Sequence, residues 1–256
     1  ARRSRQLLPG YSYHVTVRCN NREFRLTRWE CRQVLLYAIK KVQDKYRFKL
    51  YGLCVMSNHV HYLIEPQKAQ DLPKIMHGLN WYTAMCFNRM LNRTGHFWEK
   101  RYHSTGFANS ETRRALNTLR YIHANPKAAQ MQAGFFYDFS NYGIHDRPGD
   151  DGITQWHPAF LSLGNTLDEC AAKYRKFCQK YRPQPKPETK NHWGSKLLAG
   201  LTAKKGKSKP TSPGQMALPW NQWEPPTGEV VEVAKKFVLA NCYDPQFAMK
   251  MFLPPE

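Results

Sequence analysis

The sequence predicts an α+β fold: one antiparallel sheet of four strands built in the order βαββαβ, with a further helix able to lie across it. Three observations predict it. Residues 11–18 and 48–65 carry alternating, β-branched and aromatic runs broken by polar turns. Residues 28–46 and 72–91 repeat apolar side chains at helical spacing. The segments follow one another as strand, helix, strand, strand, helix, strand, with short connections.

Each element has its own signal. A basic arm over 1–10 ends in Pro9-Gly10. Strand one, 11–18, alternates through Tyr11-Ser12-Tyr13-His14-Val15-Thr16-Val17-Arg18, and Cys19-Asn20-Asn21-Arg22 is a polar turn. The first helix, 28–46, places Trp29, Val34, Leu35, Ile39 and Val42 on one face. Strands two and three, 48–56 and 59–65, meet at a tight Ser57-Asn58 turn, and Pro66 ends the second of them. The helix over 72–91 puts Ile75, Leu79, Tyr82, Met85, Cys86 and Met90 on one side. A basic, aromatic loop, 95–104, leads into a short strand over 105–108. Asn109-Ser110-Glu111 opens the third helix, 112–124. Pro126 then sets Asn125 at or just past its last turn.

Beyond Pro126 the pattern weakens. Residues 127–160 read as irregular cover and 167–181 as a basic amphipathic helix. Residues 183–219, dominated by Lys, Pro, Gly, Ser and Thr, read as a flexible arm, and 229–241 regain helical periodicity. The organisation expected is a domain over 1–160 followed by a basic, partly helical and partly flexible extension over 161–256.

Charge narrows the function. There are 39 Lys and Arg against 19 Asp and Glu, a formal net charge of +20. That excess does not suit an enzyme of small neutral substrates; it suits a polyanion held through phosphate contacts. Aromatic residues interleaved with the cations favour unpaired, single-stranded nucleic acid. Seven cysteines with no C-x-x-C exclude a disulfide framework and a zinc ribbon. No run approaches the ~18 apolar residues of a membrane span. A cytoplasmic, nucleoid-associated protein with no membrane partner is expected.

The chemistry centres on His59-Val60-His61. On a strand, residues two apart share a face, so two imidazoles stand side by side while Val60 enters the core. They are a ready pair of metal ligands, or part of a zinc site with Cys54. The third helix carries Tyr121 and Asn125 four residues apart, on one helix face. If that face meets the histidines, a hydroxyl and an amide oxygen join them. Two imidazoles and a carboxamide oxygen suit Mg²⁺ or Mn²⁺, with open positions for a phosphate. Tyr121 could then attack that phosphate; Tyr82 and Tyr102 remain alternatives on sequence grounds.

Several motifs in a fixed order carry a resemblance. They are Pro9-Gly10 with Tyr13-His14-Val15 and Arg18, then Met56-Ser57-Asn58-His59-Val60-His61. Gly95-His96-Phe97-Trp98 with Arg101-Tyr102 follow, then Tyr121-Ile122-His123-Ala124-Asn125-Pro126 and Ser140-Asn141-Tyr142. Over about residues 5–145 the chain resembles the single-tyrosine HUH (His–hydrophobic–His) transposases, and within them the REP-associated tyrosine transposases.

The resemblance implies a ferredoxin-like core with the nucleophilic tyrosine on an added helix. It implies His59 and His61 as metal ligands, Tyr121 as nucleophile, and Asn125 where relatives often carry Gln. It implies cleavage and rejoining of single-stranded DNA near imperfect hairpins through a 5′-phosphotyrosine. A domesticated hairpin-binding protein and a replication-initiator-like nickase are the alternatives. REP-associated members look monomeric, whereas related insertion-sequence enzymes are dimers. Arg18, Arg22, Lys100 and Arg101 are candidate DNA contacts, as are Trp98, Tyr102, Arg113 and Arg120.

Overall fold

Alternation along the first strand sets the two faces of the sheet. In the computed structural model, which describes residues 6–183, 227–250 and 252, β1 (Tyr11–Arg18) buries Tyr13, Val15 and Val17 on one face. His14, Thr16 and Arg18 stand on the other. Helix α1 (Trp29–Tyr46) follows, then β2 (Phe48–Val55), β3 (His59–Pro66), α2 (Leu72–Met90) and β4 (His103–Ala108). The sheet order is β2-β3-β1-β4 and every pairing is antiparallel. This is the strand and helix order expected from the sequence.

Register carries the alternation across the sheet. Tyr13 pairs with Ile64, Val15 with Tyr62 and Val17 with Val60, all buried. Thr16 pairs with His61 and Arg18 with His59, so the polar positions of β1 and the histidines of β3 share the opposite face. Helix α3 (Thr112–Ala128) lies on that second face. Its close approach depends on Gly52 of β2. A β-carbon there would sit 3.2–3.3 Å from Ile122 Cδ1, Leu63 Cβ and Leu119 Cδ2. Leu119 and Ile122 are fully buried, each worth about 1.5–3 kcal/mol of transfer free energy. They anchor α3 so that its next exposed position, Tyr121, overhangs the histidines.

Three details depart from the sequence reading. The fourth strand begins at His103, two residues earlier than expected, because β1 continues to pair with it as far as Thr16. In α2, Thr83 and Phe87 are buried while Met85 and Met90 are only half-buried. Trp98 explains the rotation: its indole N–H donates to Thr83 Oγ1 (3.0 Å) and to the Asn80 carbonyl (3.1 Å). Third, α3 does not stop at Asn125 but runs through Pro126 to Ala128.

The stretch read as irregular cover holds two short helices, α4 (Tyr142–Asp146) and α5 (Pro158–Leu161). Helix α6 (Leu167–Gln179) starts at the N-cap Thr166, whose Oγ1 accepts from the Glu169 N–H, while the Glu169 carboxylate accepts from the Asn165 N–H just before the cap. It buries Cys170, Ala171, Tyr174 and Cys178. Helices α7 (Thr227–Asn241) and α8 (Pro245–Lys250) complete the described chain. Helix α7 packs on α1 and α4. A β-carbon at Gly143 would lie 2.2 Å from Asn241 Cα, so only glycine admits this contact. Asn241 then accepts from the Ile144 N–H and donates to Asp151. Both α6 and α7 thus share one compact unit with the first 160 residues. The arm read over 183–219 lies outside the described residues from position 184 onward.

Candidate active site

The turn before β3 fixes the first histidine. Asn58 Nδ2 donates to the Arg22 carbonyl (3.0 Å). With its nitrogen committed there, the amide turns Oδ1 toward His59 Nδ1, 2.7 Å away. Oδ1 only accepts, so Nδ1 carries the proton and Nε2 is left as the basic nitrogen.

His61 is fixed from the neighbouring strand. Its Nδ1 lies 3.0 Å from His14 Nε2 and 3.2 Å from Thr16 Oγ1. The His14 and His61 rings stack at 5.2 Å between centroids. His61 is only 4% exposed, and its Nε2 is buried with no hydrogen-bond partner. Burial above all, then the charges of His59, His14 and Arg18, hold its pKa well below the ordinary value, so the ring is neutral. Burial, assisted by His103, likewise brings His14 down to about 4.

Helix α3 brings in the other two groups. Tyr121 is 50% exposed, and its ring lies edge-on to His61 and to His14, 5.7 Å from each centroid. Asn125 is positioned by the proline after it. Pro126 has no N–H, so the Ile122 carbonyl lacks its usual helical donor. Asn125 Nδ2 fills that place at 3.3 Å and donates to the Tyr121 carbonyl at 2.8 Å. The amide nitrogen is thereby turned onto the helix and the oxygen away from it. The Asn125 side chain lies close enough to His61 to oppose the lowering of its pKa, without completing a hydrogen bond to Nε2.

The structure therefore brings His59, His61, Tyr121 and Asn125 to one place on the sheet. Cys54 pairs with His61 across the strands, but burial raises its pKa and keeps it a thiol whose Sγ contacts Met56 Sδ at 3.6 Å. Among the described residues no three His, Cys, Asp or Glu converge as a metal-binding group. The donor set is two imidazoles and a carboxamide.

The candidate DNA contacts divide. Arg18 faces His59 across the strands and its charge reaches His61. Arg22, Lys100, Arg101 and Arg113 are exposed. Arg22 and Asn21 both adopt left-handed backbone (φ 56° and 54°), held by the bonds from Asn58 to Arg22 and from the Leu26 N–H to Ser57.

Three other residues need correction. Trp98 (7% exposed) is sealed against α2 and Tyr102 (8%) is buried too, so neither ring offers a face to a base. Arg120 stacks 3.9 Å over Phe177, donates to its carbonyl and bonds Asn117, which ties it to α6. Tyr82 is core.

The sequence reading missed His14 and Asn58 as neighbours of the histidine pair. The alternation His14-x-Thr16-x-Arg18 puts three polar groups on one strand face and could have flagged the first. Only the fold shows that this face adjoins His61.

A histidine pair on an antiparallel sheet is thus overhung by a tyrosine from the covering helix. Residues 8–125 match the family described as Transposase IS200 like, and over that segment the chain is similar to it. Among solved structures, a REP-associated tyrosine transposase bound to a REP hairpin is 20% identical, with a TM-score of 0.48 over 61% of this chain and 94% of that one. A putative transposase from Deinococcus radiodurans R1 is 22% identical, with a TM-score of 0.33 over 48% and 95%. No curated protein matches the chain.

The family is metal-dependent, and the residues present fit an ion. His61 offers a buried nitrogen with no partner, both imidazoles have their Nδ1 engaged, and Asn125 presents oxygen. No helix among the described residues is long and apolar enough to cross a membrane.

Proposed function

We propose that the protein cleaves and rejoins single-stranded DNA beside hairpins, with Tyr121 as nucleophile. The observation that carries this reading is the partnerless, buried His61 Nε2 below an exposed tyrosine ring. His59 Nε2, His61 Nε2 and Asn125 Oδ1 would hold Mg²⁺ or Mn²⁺. When bound, such an ion polarises the scissile phosphate and offsets the charge that develops on it.

Tyr121 Oη forms the new P–O bond and the bond to O3′ breaks. The tyrosine proton passes to solvent, which protonates the leaving 3′ oxygen, and a 5′-phosphotyrosine remains. Attack by a 3′-hydroxyl on that ester reverses the exchange, so a strand can be rejoined without an external energy source. Arg18, Arg22, Lys100 and Arg101 supply positive charge around the turn that holds His59, where flanking phosphates would lie. A hairpin as the partner accords with the ligand of the REP-associated enzyme. The compact unit that includes α6 and α7 would carry the chemistry, and the basic residues beyond position 160 would add contact to DNA, in a monomer acting on the nucleoid.

The test is incubation of the full chain with labelled hairpin-bearing single strands and Mn²⁺, followed by peptide mapping of the trapped adduct. DNA is expected on the peptide containing Tyr121, and Tyr121→Phe should abolish the adduct while binding survives. An adduct on Tyr82 or Tyr102 would overturn the assignment.

A further inference from the structure

Beside Tyr121 an open cleft of about 690 Å³ runs along α3, between that helix and His14 of β1. One helical stripe forms its wall: Arg113 and Arg114, then Asn117 and Thr118, then Tyr121. The stripe spans nine residues, about 12 Å end to end at 1.5 Å rise per residue.

Charge and hydrogen-bonding capacity are distributed unevenly along this wall. Glu111 and Arg114 neutralise each other at the far end, and the Ala108 N–H also bonds the carboxylate. Arg113 is exposed and forms no ion pair or hydrogen bond among the described residues. Asn117 Oδ1 accepts from Arg120, which fixes the amide and leaves Nδ2 to donate. The Thr118 hydroxyl donates to the Arg114 carbonyl and retains its capacity to accept. The cleft thus presents a free cation, then a donor and an acceptor side by side, then the tyrosine. That sequence suits a phosphate followed by a base edge.

We propose that this cleft is a subsite for a nucleotide flanking the scissile phosphate, with Arg113 on its backbone phosphate and Asn117 and Thr118 on its base. The subsite gives base selectivity outside the hairpin, and it rests on the reading of Tyr121 as nucleophile. Whether the base is read at all depends on the pair at 117 and 118, because Arg113 sees only phosphate.

The experiment is competition binding by the full chain carrying Tyr121→Phe, against hairpin-bearing strands that differ in one flanking base at a time. The parent should prefer one base at one flanking position by about five- to tenfold. Asn117→Ala should flatten that preference to within about twofold and leave other positions alone. Arg113→Ala should weaken all sequences alike and reduce the log–log salt slope by about one. Both positions are exposed on the helix, so folding is not at stake. A parent with no flanking preference, or variants that keep both its preference and its salt slope, would overturn the subsite. Adduct formation on Tyr121 by the unmodified chain reports separately on the reading beneath it. An adduct with unchanged variants removes the cleft alone; altered preference without an adduct removes the nucleophile alone.

Discussion

His14 Nε2 lies 3.0 Å from His61 Nδ1. A histidine on β1 thereby orients a histidine on β3, whose remaining nitrogen is buried and free to bind an ion. Partners of this kind set the tautomer and the ring angle of a ligand, and their loss costs about 10–100-fold in metal affinity. His14→Ala should weaken Mn²⁺ binding by that factor in calorimetry and leave hairpin affinity within about twofold, because phosphate and base contacts carry the latter. His61→Ala should abolish cleavage outright. Unchanged Mn²⁺ affinity in His14→Ala would show that the stacked ring has no such role.

A second prediction concerns the depth of α3. Gly52 leaves no slack: a single β-carbon already stands 3.2–3.3 Å from Leu119, Ile122 and Leu63. Gly52→Val must push the helix off the sheet or distort it, at about 1–3 kcal/mol. Tyr121 and Asn125 ride on that helix. Adduct formation should therefore slow by more than hairpin binding weakens. A variant with full cleavage and a lowered melting temperature would mean that the site tolerates displacement of the helix.

The sheet and its helices were legible because period-two and period-3.6 patterns report burial directly, as in Val15, Val17 and Val60. His59, Tyr121 and Asn125 were legible as a set because motifs kept their order. Trp98 and Tyr102 were misread because an aromatic beside Lys100 and Arg101 gives the same local pattern whether it stacks a base or plugs the core. The partner that decides for Trp98, Thr83, is fifteen residues away. Gly143 and Asn241 could not be paired from sequence at all. Their contact is backbone against backbone across 98 positions (241 − 143), and it leaves no hydrophobic pattern.

A third prediction is acid sensitivity away from the site. His145 and His157 are fully buried, and burial above all brings each down to about 4. Both are neutral in the folded chain, whereas the unfolded chain takes up protons below about 6.5. The folded state binds fewer protons, so stability is intact above that value and is lost as pH falls toward 4. Each histidine should cost roughly 2 kcal/mol between pH 7 and pH 5. His157→Asn keeps an acceptor for the Ala159 N–H and should recover its share in denaturant titrations. A midpoint that does not move between pH 7 and pH 5 would contradict this account.

The last prediction separates stability from chemistry at Pro126. A proline inside a helix removes one backbone bond and costs up to about 3 kcal/mol. Here the orphaned Ile122 carbonyl is taken by Asn125 Nδ2, which leaves Asn125 Oδ1 as the atom turned toward the histidines. Pro126→Ala restores a backbone N–H to that carbonyl and releases the Asn125 amide from it. Pro126 is buried, so loss of its ring offsets part of the gain, and the net change in stability should lie between zero and about 2 kcal/mol in favour of folding. Metal binding should move the other way. With its nitrogen held by the Tyr121 carbonyl alone, Asn125 samples other rotamers more readily, and Mn²⁺ affinity should fall by about 3–10-fold, at the lower end of losses for supporting residues. Calorimetry with Mn²⁺ and a thermal melt on the same preparation read the two effects independently. A stabilised variant that keeps wild-type Mn²⁺ affinity would show that the proline does not orient Asn125, and that the oxygen reaches the histidines by the helix register alone.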